Sequence, residues 1–304
     1  MIATALLLSL AGDAKVTAEV PSYYVTGQPF KVRLALEAPA DGAKLEGWQL
    51  HQSAFVVDGK ALGEHANLDP LQLKAGERKT IEIDLTSFLK PTADFELAWD
   101  KSPAKKVRIL EAAPKELKFT DEKAVPAAEL SKYWALLSTS RGEILVEFWP
   151  DVAPNHVRNF LDLSNTGFYN GLTFHRVSPG FMIQGGDPDG NGSGGGPRRL
   201  KAEFSQKMHA RGVLSMARSS DPNSASSQFF VMHADSPHLD GQYSAFGMVV
   251  SGMEAVDKIA NAPGTPIPGA GGNRPNVPQV INSAIVVKVP ADPASFRAQK
   301  TAQK

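Results

Sequence analysis

The sequence contains no cysteine. Disulfides, thiolate nucleophiles and cysteine-bound metals are therefore excluded, although the compartment is left open, since many exported proteins carry no disulfide. It has no excess charge of either sign. Its 32 basic and 32 acidic residues give a formal net charge of +0. The balance also holds in pieces: residues 1–131 carry 16 basic and 19 acidic groups, and residues 132–290 carry 13 and 12. No basic slab marks a nucleic-acid partner or an anionic membrane surface. No membrane insertion is expected either, because the apolar run at residues 2–10 (IATALLLSL) falls far short of the roughly 20 residues a spanning helix needs.

Two further absences concern chemistry. The stretch FMIQGGDPDGNGSGGGP (181–197) places Gly190, Gly192 and Gly195 in G-x-G-x-x-G spacing. A pyrophosphate site of that kind needs a helix opening directly behind the loop. Here Pro197, Arg198 and Arg199 lead into LKAEF with no capping signal, and no Gly-Lys-Ser/Thr is present. The alternative is a surface loop whose glycines permit positive φ. No metal is expected: His51 and His65 lack ligand spacing, and His175, His209 and His233 do not stand four residues apart. Ser193, Ser215 and Ser227 lie outside any G-x-S-x-G elbow, so a serine hydrolase is unsupported.

What is present divides the chain. Its 304 residues, 42% of them hydrophobic, suffice for about two globular domains. Residues 1–12 are read as a truncated signal peptide, with Ser9 and Ala11 as small residues before a cleavage site. That reading places the protein in the periplasm or another extracytoplasmic compartment. The alternatives are a first β-strand and a cytoplasmic location. Residues 13–112 alternate with the period of half-buried strands: KVRLALE (31–37), TIEIDLT (80–86), FELAW (95–99) and the pair Val107 and Ile109. Turn signals separate them at TGQP (26–29), Asp58-Gly59 and KAGE (74–77), which predicts a β-sandwich. The phrases TGQPFKVRLAL and LQLKAGERKTIEIDL resemble bacterial immunoglobulin-like accessory domains. No chemistry is evident in this half, and any partner it has is unknown. Residues 113–131 read as a linker or short connecting helix, and 291–304 as a polar, frayed tail.

In residues 132–290, GEILVEFW (142–149) alternates like a strand and Pro154 opens a helix that Gly167 closes. A second helix is predicted over 253–261 and a last strand over 279–289. Many strands with two helices fit a small closed barrel with helices capping its ends.

Three phrases sharpen this reading: FYNGLTFHRVSPGFMIQGGD (168–187), GVLSMARSSDPNSASSQFF (212–230) and LDGQYSAFG (239–247). In this order they closely resemble the cyclophilins, the cyclophilin-type peptidyl-prolyl cis-trans isomerases, over about residues 133–289, and look like the bacterial members. The resemblance implies an eight-stranded antiparallel barrel with a helix at each end, and rotation of X-Pro bonds in proline-containing polypeptides, assisting protein folding without a cofactor. The barrier is about 18–20 kcal/mol of amide resonance. A donor aimed at the pyramidal proline nitrogen of the twisted state stabilises that state alone. Arg176 is the candidate donor, and Gln184, eight residues on across a hairpin, orients it or binds a substrate carbonyl. Phe181, Met182, Phe230 and Leu239 resemble the family's apolar proline pocket. Gln228 and the backbone of Ala217, Arg218 and Ser219 would line the groove for residues before proline. Barrel core is the competing reading for the apolar positions, but successive side chains of a strand face opposite sides, so one of Phe229 and Phe230 points out. An ion pair with Asp187 or Glu203 is the competing reading for Arg176.

Two positions depart from the common pattern. His238 stands where many cyclophilins carry Trp, and Tyr243 where they often carry His. The first change removes the indole that cyclosporin hydrogen-bonds in the family, so weak inhibition with retained activity is expected. The alternative function is a non-catalytic module that grips proline segments.

Overall fold

The computed structural model describes residues 8–9, 14–40, 42–45, 55–62, 71–99 and 102–297. His51, His65 and most of residues 1–12 lie outside these. The chain divides into two units, Met1–Glu111 and Ala112–Lys304.

In the first unit the alternation seen in the sequence builds two sheets. One runs in the order Leu8–Ser9, Lys15–Glu19, Lys31–Glu37, Arg78–Asp84. The other runs Tyr23–Val25, Lys105–Leu110, Phe95–Trp99, Phe55–Val57, Lys60–Ala61. A separate pair joins Ala43–Leu45 to Leu71–Leu73. Val16, Val32, Leu34, Leu36 and Ile83 of the first sheet share one core with Phe55, Phe95, Leu97, Trp99 and Val107 of the second, which makes a sandwich. The outward positions pair across strands: Arg33 with Glu82 at 3.2 Å and Arg78 with Glu37 at 2.6 Å. Asp58-Gly59 forms the hairpin turn its sequence predicts, both residues at positive φ (48° and 77°).

The second unit is built on one antiparallel sheet. Its order is Gly264–Pro266, Asn273–Pro275, Arg176–Ser178, Met182–Gly185, Phe229–Met232, Val213–Met216, Ala245–Ser251, Gly142–Phe148, Tyr133–Thr139, Ile281–Lys288. The eight strands from Arg176–Ser178 onward correspond to the expected barrel. Their ends meet at a short bridge, Thr173 with Val280, held by three backbone hydrogen bonds of 2.8 Å: Gly171 N–H to the Ile281 carbonyl, Ile281 N–H to the Leu172 carbonyl and Phe174 N–H to the Gln279 carbonyl. The seam is thus a bridge rather than a ladder. The first two strands form a ribbon within the Pro/Gly stretch 261–278.

Helix α1 (Pro154–Asn165) begins at its proline, as expected, but has no local side-chain cap. Glu203 supplies one from far along the chain, accepting from the N–H of Asn155 and His156 at 3.1 Å and facing His156 Nδ1 at 2.6 Å. A carboxylate at this helix end satisfies orphan amides and complements the dipole. Helix α2 spans Met253–Ala260. Phe148, Phe160, Tyr169, Phe174, Phe229 and Phe246 fill the core between sheet and α1.

Residues 113–131 are packed chain of this unit. Phe119, Val125 and Leu130 are buried in its core, and Arg158 donates to the Phe119 and Val125 carbonyls. The segment reads as a linker because its three apolar anchors are diluted among charges. Within the tail expected to be frayed, Ala294–Arg297 is a helical turn: Phe296 is buried edge-on against Trp134 at 6.0 Å, and Arg297 pairs with Glu147.

Candidate functional site

The site begins with a turn. Ser178-Pro179-Gly180-Phe181 closes with Phe181 N–H on the Ser178 carbonyl at 3.0 Å, and Gly180 has φ +75°. Proline followed by a positive-φ glycine is the type II pattern. This turn sets the register that puts Arg176 directly opposite Gln184. Arg176 Nη1 donates to Gln184 Oε1 at 2.9 Å, and Arg176 Nε donates to the Gly271 carbonyl at 2.8 Å. Gln184 Nε2 donates onward to Gln228 Oε1 at 2.9 Å. Gln228 Nε2 donates to the carbonyls of Gly192 and Gly194 at 3.0 and 2.7 Å. One polar chain therefore runs from the ribbon, through the hairpin, to the glycine loop. Burial lowers the Arg176 pKa from its ordinary value, opposed by Tyr243 nearby, and the guanidinium stays charged. No carboxylate among the described residues pairs with Arg176. Asp187 and Glu203, its expected competitors, are engaged elsewhere.

Asp187 explains the glycine loop. Its carboxylate accepts from the N–H of Asp189 at 2.9 Å, of Asn191 at 3.0 Å and of Gly192 at 2.5 Å. The amides that would cradle a phosphate are filled by the chain's own anion. Close packing selects glycine here: a Cβ on Gly194 would stand 2.1 Å from Asp187 Oδ1, and one on Gly186, at φ +82°, 2.5 Å from the Ser227 carbonyl.

Beside the polar chain lies an apolar cluster distinct from the barrel core. Met182, Val213, Phe230, Met232, Leu239 and Ala245 are buried in it, with Trp149, Phe181, Ala217 and Tyr243 packed around them. Phe229 faces inward to Phe160, Tyr169 and Phe174, whereas Phe230 faces this cluster, edge-on to Tyr243 at 5.7 Å. His238, exposed, stacks on Phe181 at 5.6 Å. Ala217 N–H donates to the Gln228 carbonyl at 3.0 Å, and the exposed Ser219 bonds Ser224. Arg218 lies 4.6 Å over the Tyr243 ring.

Sequence reasoning missed two contributors. The first is the Gly271 carbonyl, 95 residues from the side chain it holds. The second is His209, only 1% exposed, which stacks under Phe230 at 6.2 Å. Its Nδ1 faces Asp240 Oδ1 at 2.9 Å and its Nε2 faces Ser215 Oγ at 3.0 Å. Burial lowers its pKa, with Asp240 opposing. The Ser–His–Asp order imitates a hydrolytic triad, but Ser215 is 0% exposed. The arrangement braces the floor of the cluster and cannot attack a bound chain. No local spacing announces it, since Asp240 arrives from 31 residues away. His175 is buried, and neither ring nitrogen reaches a partner in good hydrogen-bond geometry; burial lowers its pKa, opposed by Asp187 and by the nearby Thr173 backbone. Among the described residues no group of three or more metal-ligating side chains occurs.

Comparison with known proteins bears on the same residues. The family described as cyclophilin type peptidyl-prolyl cis-trans isomerase/CLD matches residues 135–286. A probable peptidyl-prolyl cis-trans isomerase of Brucella abortus is 49% identical over 136 residues, covering 41% of this chain and 69% of that protein. A peptidyl-prolyl cis-trans isomerase of Synechococcus elongatus is 50% identical over 113 residues, covering 37% and 77%. Among solved structures, a cyclophilin-type isomerase of Cryptosporidium parvum, crystallised in the presence of the dipeptide Ala-Pro, is 33% identical. The match covers 50% of this chain and 98% of that one, at a TM-score of 0.47.

Proposed function

Since the chain belongs to the cyclophilin-type peptidyl-prolyl cis-trans isomerase family, we propose that Arg176 is the group through which it accelerates rotation about X-Pro bonds. The observation that carries this assignment is the pinning of its guanidinium. Nε and Nη1 are held by Gly271 and Gln184, while Nη2 donates to none of the described residues. A preorganised charged donor with one free amino group, set beside an apolar cluster, suits a proline whose nitrogen gains a lone pair only when the bond twists. A 10⁵-fold acceleration needs about 7 kcal/mol of such differential stabilisation. Met182, Phe230, Leu239 and Phe181 take the proline ring, with Tyr243 and His238 as flanking walls. Gln184 orients Arg176 and is itself fixed by Gln228. The backbone of Ala217–Ser219 receives the residues before proline. No covalent step and no proton transfer is required. The substrates are proline-containing polypeptides, which fits a role in protein folding.

The test is isomerisation of a short Ala-Pro peptide by the full chain, compared with Arg176→Ala and Arg176→Lys. The expected result is a loss of at least 10²-fold in kcat/KM for Arg176→Ala, with peptide binding retained by NMR titration. Wild-type chain that binds the peptide without turning it over would make the site a proline grip instead. For the first unit we propose an accessory, immunoglobulin-like role, and for the whole chain an extracytoplasmic location. Fractionation of cells expressing the full gene checks the latter, and recovery in the cytoplasm alone would refute it.

A further inference from the structure

Among the arginines of the second unit, some hold carboxylates and others donate only to uncharged oxygens, as Arg141 does to Gln279 Oε1 at 2.6 Å and Arg158 does to the Phe119 and Val125 carbonyls. Arg198, Arg211 and Arg297 each hold a carboxylate: Asp162 at 2.7 Å, Asp257 at 2.7 Å, and Glu147. Arg176 and Arg218, the two at the groove, hold none among the described residues. Arg218 donates only to backbone carbonyls, from Nε and Nη2 to Gln242 at 3.1 and 3.0 Å and from Nη1 to Ser219 at 2.8 Å. The acids near the groove face other partners. Asp187 is bound by the loop amides, Glu203 by the start of α1 and by His156, and Asp240 by His209. Asp221, three residues beyond Arg218, caps the Asn223 N–H at 2.9 Å. The two guanidiniums at the groove thus keep no ion-pair partner among the described residues, within a chain that is neutral as a whole.

Arg218 is placed to use that charge. Its guanidinium carbon lies 4.6 Å over the ring of Tyr243 and 5.7 Å from the ring of Phe204. Tyr243 in turn stands edge-on to Phe230, the floor of the apolar cluster. Two aromatic faces and two carbonyls fix a side chain that would otherwise sample solvent. It is held one ring's breadth from the cluster, where a side chain on a residue next to the proline arrives.

The geometry points to Arg218 as a specificity-determining residue that favours an acidic side chain on the residue immediately before proline. This rests on the reading that Ala217–Ser219 line the groove for that part of the substrate. A carboxylate there meets a fixed cation with no competing internal anion and forms a charge-assisted hydrogen bond. Because the arginine is only half-buried, the gain is that of an exposed pair, roughly two- to five-fold in kcat/KM.

The experiment measures kcat/KM of the full chain on Ala-Xaa-Pro-Phe peptides with Xaa as Glu, Gln or Lys, at low and high ionic strength. The expected order is Glu above Gln above Lys, with the Glu/Gln ratio shrinking as salt rises. In Arg218→Gln the ratio falls to about one; in Arg218→Lys a preference for Glu persists; in Arg218→Glu the order of Glu and Lys inverts. Ratios are read within each variant, so a general loss of activity cancels. Equal rates on all three peptides in the wild type overturn the inference while leaving the isomerase reading intact. So does a Glu/Gln ratio that survives Arg218→Gln. A chain inert on every peptide overturns both readings.

Discussion

Phe229 and Phe230 are neighbours of one residue type, 0% and 5% exposed, yet they belong to different regions of the molecule. Phe229 lies in the aromatic core between sheet and α1, where three rings contact it within 6.1 Å. Phe230 lies in the outward cluster, where Tyr243 and His209 contact it and Arg176 belongs to the polar chain alongside. Burial alone therefore does not separate structure from function here. The inner cluster is closed by rings whose one hydroxyl around Phe229, that of Tyr169, donates inward to the Ser227 carbonyl at 3.1 Å. The outer one is bordered by residues with polar ends, several of them tied to other parts of the unit: Arg176 to Gly271 and Gln184, Arg218 to Gln242, and His209 to Asp240. An apolar surface becomes a binding surface when its rim is polar and preorganised.

The sharpest way to break this contrast is to truncate each ring. Phe229→Ala is expected to destabilise the second unit by about 3–5 kcal/mol in denaturant unfolding, the cost of a large cavity in a packed core. Phe230→Ala is expected to cost less than half of that while lowering kcat/KM at least tenfold. Equal losses of stability would dissolve the distinction between the two regions. A smaller effect separates them by pH. Burial lowers the pKa values of both His175 and His209, so the unfolded chain takes up protons before the folded one. Their contribution is complete above the ordinary histidine value of about 6.5 and declines as pH falls from there through the lowered folded values. Unfolding midpoints measured from pH 7.5 to 5 check this. A midpoint unchanged over that range, or a decline left undiminished in His175→Phe, would contradict it. The smallest expected effect is on turnover: kcat/KM stays nearly flat from pH 6 to 8, because Arg176 remains charged and the His209–Asp240 pair lies beneath Phe230, with its imidazole buried away from a bound peptide. A bell-shaped profile with a tenfold swing would assign the reaction to a titrating group instead.

Much of this was legible in the residues. Strand alternation showed that Phe229 and Phe230 face opposite sides, and the eight-residue spacing of Arg176 and Gln184 around Pro179-Gly180 announced their pairing across a turn. In the first unit, Asp58-Gly59 and the alternation of KVRLALE gave the hairpin and the buried face. These signals are local, carried by chain period and turn chemistry. The missed features are all long-range. The Gly271 carbonyl, the Glu203 cap on α1 and the Asp240–His209 pair join positions 95, 47 and 31 residues apart, and no spacing rule spans such distances. The burial of Phe119, Val125 and Leu130 escaped notice for a related reason. Three anchors among charged neighbours have no period, and only the groove they fill shows that the segment is packed.

One consequence of the glycine loop remains. A loop that cradles phosphate is empty until its ligand arrives, and its order then follows the ligand's concentration by mass action. In this chain Asp187 makes occupancy a matter of covalent sequence, complete at any dilution. The rim of the groove accordingly keeps its shape in phosphate-rich and phosphate-free surroundings alike. The amides of Asp189, Asn191 and Gly192, already held by Asp187, are closed to a free anion.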